Sequence, residues 1–108
     1  MAKQSKTRFL ENGFYVANES FREKDLLFVT GEIIGVIWLR GLCYATKTGK
    51  ELGGNANLME SENALKLRRL SMEEIFELTD NHLSHIRVFK SVSSFVTACK
   101  LFSGKRLV

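Results

Sequence analysis

Two histidines, His82 and His85, stand three residues apart with Glu77 and Asp80 just upstream. On a helix, positions i and i+3 share a face, so both imidazoles could ligate one metal ion, with Asp80 as a third ligand. Histidines among charged residues at a helix start are more often solvated surface, so no metal is expected. Cys43 could pair with either histidine as nucleophile and base, but a reactive thiol needs an electropositive, partly exposed niche. Cys43 instead falls between Leu42 and Tyr44 in an apolar run, and Cys99 falls in an apolar helical stripe. Both read as small core residues.

Other chemistry-bearing stretches are explained more simply. "TKTGKELGG" (46–54) has glycines and lysines but neither the Walker nor the dinucleotide-binding spacing. Glu73, Glu74 and Glu77 suit the first turns of a helix, where carboxylates meet the positive end of its dipole. Arg68-Arg69-Leu70-Ser71 has the form of a basophilic phosphorylation site, yet Ser71 is better explained as a helix cap. The sequence therefore predicts no catalysis and no cofactor.

What remains is charge. The chain carries a formal net charge of +4, from 16 basic and 12 acidic side chains. Lys3, Lys6 and Arg8 lie in an acid-free start; Arg87, Lys90, Lys100, Lys105 and Arg106 lie in an acid-free end. Two basic ends could grip an anionic partner if the fold joins them. A strand pair tipped with Lys47 and Lys50 fits phosphate contacts, and Tyr15, Trp38 and Tyr44 could stack on unpaired bases if exposed. The leading expectation is a small accessory or regulatory protein binding DNA or RNA. Its phosphate contacts would be Lys47, Lys50, Arg68, Arg69, Lys100, Lys105 and Arg106. No named recognition motif is matched. The first alternative is a protein-binding inhibitor or adaptor, of a kind carried by a virus or plasmid against a host nucleic-acid enzyme. Its acidic 60–80 segment, set against basic ends, would provide complementarity. The second alternative is a homodimer or larger self-assembly through a sheet edge or the C-terminal stripe.

The elements that must position these residues follow from periodicity. At 108 residues, with 44% apolar and 26% charged residues, the chain fits one domain, 1–108, with a real core. Its basic ends, 1–6 and 104–108, are expected to be disordered. Two cysteines and no apolar leader segment predict a cytoplasmic protein with reduced thiols. No membrane is expected: between 26 and 46 the longest uninterrupted apolar run is Ile33–Leu39, flanked by Glu32 and Arg40.

Proline is absent and most glycines fall in the first half, which predicts a turn-rich β half followed by helices. Asn12-Gly13 predicts a hairpin between strands at 7–11 and 14–19. "REKD" (22–25) reads as a polar connection and "LLFVT" (26–30) as a strand. Gly31-Glu32 reads as a tight turn, or Gly31 and Gly35 as bulges. Ile33–Leu39 reads as a central strand buried on both faces, and 42–46 as the next strand. After Ala45 the chain is expected to turn to solvent over Thr46–Lys50. Residues 58–69 are ambiguous. Asn57 with Glu60 resembles a capping pair and favours helix, although Leu65 and Leu67 alternate like a strand. Ser71 with Glu74 matches a capping box, and Leu70 with Ile75 a hydrophobic staple. Met72, Ile75, Phe76 and Thr79 would then form the buried helix face. In the last helix Val88, Val92, Phe95, Val96, Cys99 and Phe102 make one apolar stripe, ending at Gly104.

The predicted fold class is α+β: an antiparallel sheet of four to five strands from 7–52, covered on one face by two to three C-terminal helices from 58–103. The predicted core comprises Phe14, Val16, Leu27, Val29, Ile34, Val36 and Trp38 from the β half. The helical half adds Ile75, Phe76, Val92, Phe95, Val96 and Phe102.

Overall fold

The computed structural model describes residues 10–48, 55–58, 61–80 and 91–107. Among them are seven strands: β1 (Gly13–Ala17), β2 (Phe21–Glu23), β3 (Leu26–Phe28), β4 (Ile33–Leu39), β5 (Leu42–Lys47), β6 (Asn55–Asn57) and β7 (Leu67–Arg69). A 3-10 helix (Glu62–Lys66) precedes β7, and two α-helices follow, α1 (Met72–Leu78) and α2 (Val92–Lys100). The fold is α+β, with the α-helices C-terminal to the sheet. No helix among the described residues is long and apolar enough to cross a membrane.

The main sheet has five strands in the order β6-β5-β4-β1-β7, with every neighbouring pair antiparallel. β4 runs through its centre because its β-branched, apolar residues suit burial on both faces. Ile33, Ile34, Val36 and Ile37 are all buried. Alternation sends β4's side chains to two separate cores. Ile33 and Ile37 join Phe14, Val16, Phe95, Cys99 and Phe102 beneath the α-helices. Ile34 and Val36 join Tyr15, Cys43, Phe21 and Phe28 on the other face. Burying each large side chain contributes about 1.5–3 kcal/mol.

The sheet is thus covered on both faces, not one. The second cover is the β2–β3 hairpin, whose Phe21 and Phe28 rings stack at 4.9 Å, together with the 3-10 helix. Polar contacts fasten the two pieces. Ser61 Oγ donates to Glu23 Oε1 at 2.8 Å, and Asn63 Nδ2 donates to the same oxygen at 2.8 Å. Sequence periodicity alone could not reveal this cover, because β2 falls on the polar-looking stretch at 22–25.

Several local expectations are corrected. Asn12-Gly13 is not a hairpin turn: Gly13 opens β1 and pairs with Val36 of β4. Asn12 Oδ1 accepts the Trp38 N–H at 2.9 Å, and Trp38 Nε1 donates to Leu10 O at 2.8 Å. These bonds tie the stretch before β1 to β4, and most of the expected 7–11 strand lies outside the described residues. Gly31-Glu32 does not fold β3 back on β4, since β3 pairs with β2 and β4 pairs with β1 and β5. Gly35 stays in register between Phe14 and Thr46, so it forms no bulge. The expected helix at 58–69 is a 3-10 turn capped by Ser61, followed by an edge strand that pairs with β1. The strand-like alternation of Leu65 and Leu67 prevails there because β1 needs an outer partner. The sheet therefore draws on residues beyond 52.

The β4–β5 connection is the tight hairpin. Leu39 pairs with Leu42, leaving Arg40 (φ 52°) and Gly41 (φ 79°) as its two central residues. Positive φ at both is the requirement of a type I′ turn. In the helical half, the Ser71–Glu74 capping box forms, and Leu70 and Ile75 are buried together. α1 buries Ile75, and its C-cap Thr79 is buried too, but Met72 and Phe76 are 48% and 43% exposed, contrary to the expected face. Leu27 and Val92, also placed in the core by sequence, are 45% and 50% exposed. α2 lies across the sheet on Phe95, Ala98 and Cys99. It comes closest at Gly35, where an added Cβ would sit 2.9 Å from Phe95 Cζ and 3.0 Å from Cys99 Sγ.

Candidate binding groove

The cations expected to meet phosphate are distributed over different parts of the molecule. On the β7 edge, Arg68 forms a two-pronged pair with Glu74, Nη1 to Oε1 at 3.1 Å and Nη2 to Oε2 at 3.0 Å. That guanidinium, with the Ser71 N–H, holds the Glu74 carboxyl down at about 2. Arg69 Nη1 meets Glu11 Oε1 at 2.5 Å, and its Nη2 donates to Asn12 O at 3.1 Å. Lys47 is the last residue of β5 and pairs with Ile34 in the sheet register. Its Nζ meets Glu32 Oε2 at 2.8 Å, donates to Leu27 O at 2.6 Å and lies 4.8 Å from the Phe28 ring centre. Lys50 lies outside the described residues.

Lys100, Lys105 and Arg106 are exposed and form no ion pair with another described residue. Arg106 bridges to Glu32, and the Leu107 N–H donates to Gly31 O at 2.9 Å. This pairing brings Lys105 and Arg106 to Lys47, Glu32 and Thr48 around one groove of about 440 Å³. Thr48 is buried there and donates its hydroxyl to Ile33 O at 2.8 Å. Thr46 is buried too, so the chain leaves the core later than expected. The described residues as a whole carry ten acidic and ten basic side chains. The excess positive charge therefore belongs to residues outside the described set.

The aromatic residues proposed for base stacking are largely enclosed. Tyr15 is 4% exposed, and burial pushes its hydroxyl pKa up. Trp38 and Tyr44 are half-buried. The thiols are enclosed as well: burial pushes Cys43 up to about 11 and Cys99 up to about 12. Both therefore remain protonated at neutral pH and lack the thiolate that nucleophilic attack requires. His82 and His85 lie outside the described residues, and no cluster of three metal-ligating side chains occurs among the described ones.

A larger concavity lies on the α-helical face. α2 covers β4, while β5 and β6 extend beyond it, leaving a trough of about 740 Å³. The sheet side presents Ile37, Leu39, Leu42 and Tyr44; the helix side presents Val92, Phe95, Val96 and Cys99. Leu42 and Val92, on opposite walls, are 36% and 50% exposed. Sequence reasoning assigned Val92 and Val96 to a buried stripe and gave Leu42 no role. The available signal was the period of two of any strand, by which Leu42, Tyr44 and Thr46 of β5 share one face. What covers that face was not readable.

Arg40, Tyr44, Thr46 and Asn55 are the polar residues among those that line this trough. Arg40, in the β4–β5 turn, is the only charged side chain among its described lining residues. The Arg40 guanidinium and the Tyr44 and Thr46 hydroxyls make no hydrogen bond or ion pair with described residues. An apolar concavity with a few convergent polar groups is the usual form of a binding site. Comparison with protein-family models, curated proteins and solved structures finds no match for this chain.

Proposed function

We propose that this protein is a non-catalytic binding module that docks a partner protein in the trough between β5 and α2. One observation carries this reading: Leu42 from the sheet and Val92 from α2 both line one mostly apolar trough of about 740 Å³ while remaining 36% and 50% exposed. Exposed apolar walls of this kind gain free energy when a partner removes them from water, about 25 cal/mol per Å². An inhibitor or adaptor acts this way, by occupying a partner's surface.

The test is a pull-down from the source cells with wild-type protein and with Leu42→Asp. The expected result is one protein retained in stoichiometric amount by the wild type, resistant to high salt and lost with the variant. Retention of the same protein by both forms, or by neither, overturns the reading.

A second reading, contact with DNA or RNA phosphates, is favoured by the convergence of Lys47, Thr48, Lys105 and Arg106 on one groove. It is weaker because Glu32 neutralises Lys47 and the described residues carry no net charge. Binding through that groove would weaken steeply with salt, with a smaller slope in Lys105→Glu/Arg106→Glu. No shift of any DNA or RNA at low salt would end this second reading.

A further inference from the structure

We infer that the segment accepted by the β5–α2 trough is apolar and carries one acidic side chain, which pairs with Arg40. The inference rests on the docking reading above and concerns the chemistry of the occupant.

The trough is mostly apolar, with Tyr44, Thr46 and Asn55 as neutral polar lining residues, and Arg40 is its only charged side chain among the described lining residues. Arg40 follows Leu39, the last residue of β4, and its positive φ is fixed by the turn that joins β4 to β5. The guanidinium is therefore carried at the turn end of the trough by two paired strands. It is exposed and pairs with no described carboxylate, unlike Arg68 with Glu74 and Arg69 with Glu11. A carboxylate can meet a guanidinium through two parallel hydrogen bonds, and this geometry selects Asp or Glu over a neutral group. A lysine or arginine at the same place would be repelled and left without a partner. The hydroxyl of half-buried Tyr44, without a partner among the described residues, can donate to and accept from the segment's backbone. The expected order is thus an acidic residue at the turn end, followed by apolar side chains between Leu42 and Val92.

The turn itself supplies a clean variant. Arg40→Asp produces Asp-Gly and Arg40→Asn produces Asn-Gly, both favoured at the centre of a type I′ turn. Charge is thereby inverted or removed without disturbing the hairpin, which thermal melting of each variant confirms before use. The probe is a random heptapeptide display library, selected separately on wild type, Arg40→Asp and Leu42→Asp.

The inference is supported if wild type recovers apolar peptides sharing an acidic residue, and Arg40→Asp binds them about ten- to a hundredfold more weakly. Selection on Arg40→Asp should then recover a basic residue at the corresponding place. Peptides lost on Leu42→Asp but lacking any acidic preference, or indifferent to Arg40, overturn this inference and leave the docking reading intact. Peptides indifferent to both Leu42 and Arg40 overturn both. Recovery of no peptide also overturns the inference; if the protein then self-associates in sedimentation and Leu42→Asp abolishes it, the occupant is a second copy.

Discussion

The Phe95 ring rests directly on the backbone of Gly35. An ideal Cβ at that glycine would lie 2.9 Å from Phe95 Cζ, closer than folded proteins tolerate. Phe95 also stacks with Phe14 at 6.2 Å, and Phe14 meets Phe102 at 4.5 Å. The missing methyl thus sets how deeply α2 sits on the sheet, and with it the depth of the trough whose helix wall α2 supplies.

Gly35→Ala is expected to destabilise the fold by about 1–3 kcal/mol through overpacking. Urea unfolding measures it. Phe95→Leu in the same background should restore part of the loss, because a shorter side chain vacates the position of the new methyl. Additive losses in that double-mutant cycle would show that Gly35 and Phe95 are not in contact.

Arg40→Asn is expected to stabilise the protein by a few tenths to about 1 kcal/mol, since asparagine accepts positive φ more readily than arginine. The readout is the midpoint of urea unfolding at constant slope. A lower midpoint would contradict the type I′ assignment of the turn.

Acid should weaken the start of α1. The Glu74 carboxyl is held at about 2, against an unperturbed 4.5, first by Arg68 and then by the Ser71 N–H. A depressed carboxylate pKa adds stability that is full above the unfolded value and lost as pH falls through the folded one. The loss should therefore fall between about pH 4.5 and about 2, and Glu74→Gln should flatten that part of the stability profile. The pair is largely solvent-facing, so its share is about 0–1 kcal/mol and shrinks with salt. Removing the cap with Ser71→Ala should cost about 1 kcal/mol at neutral pH.

Neither thiol should react in the native state. With Cys43 pushed up to about 11 and Cys99 to about 12, and both buried, a thiol reagent at neutral pH should label no cysteine until urea is added. Fast labelling of native protein would contradict the enclosed placement of one of the two cores.

The legible parts of this fold are those where one strong local rule acts. Ile33–Leu39 was readable as the centre of the sheet because seven consecutive apolar, largely β-branched residues suit little else. The Ser71–Glu74 box was readable because its hydrogen bonds close within four residues. Elements chosen by distant partners were not readable. β7 is a strand because β1 lacks an outer neighbour, and Asn12 is drawn out of a hairpin by the Trp38 N–H. The trough escaped sequence reasoning for the same reason. Alternation placed Leu42 and Tyr44 on one face, but nothing local reveals that α2 stops short of covering them. The ion-pair partners of Arg69 and Lys47 were not readable either, because Glu11 and Glu32 become their neighbours only through the sheet.

The place of β1, between β4 and β7, also bears on how the chain reaches its fold. β1 gains one neighbour from β4 once the intervening β2–β3 hairpin is passed, but the other arrives only when Leu67–Arg69 swing back across half the chain. Until then Tyr15 and Val16 present an open, apolar strand edge, the kind of template on which another chain can pair. Long-range closure of this sort slows folding. Refolding yield should therefore fall as protein concentration rises, and a chain released before β7 should aggregate rather than wait.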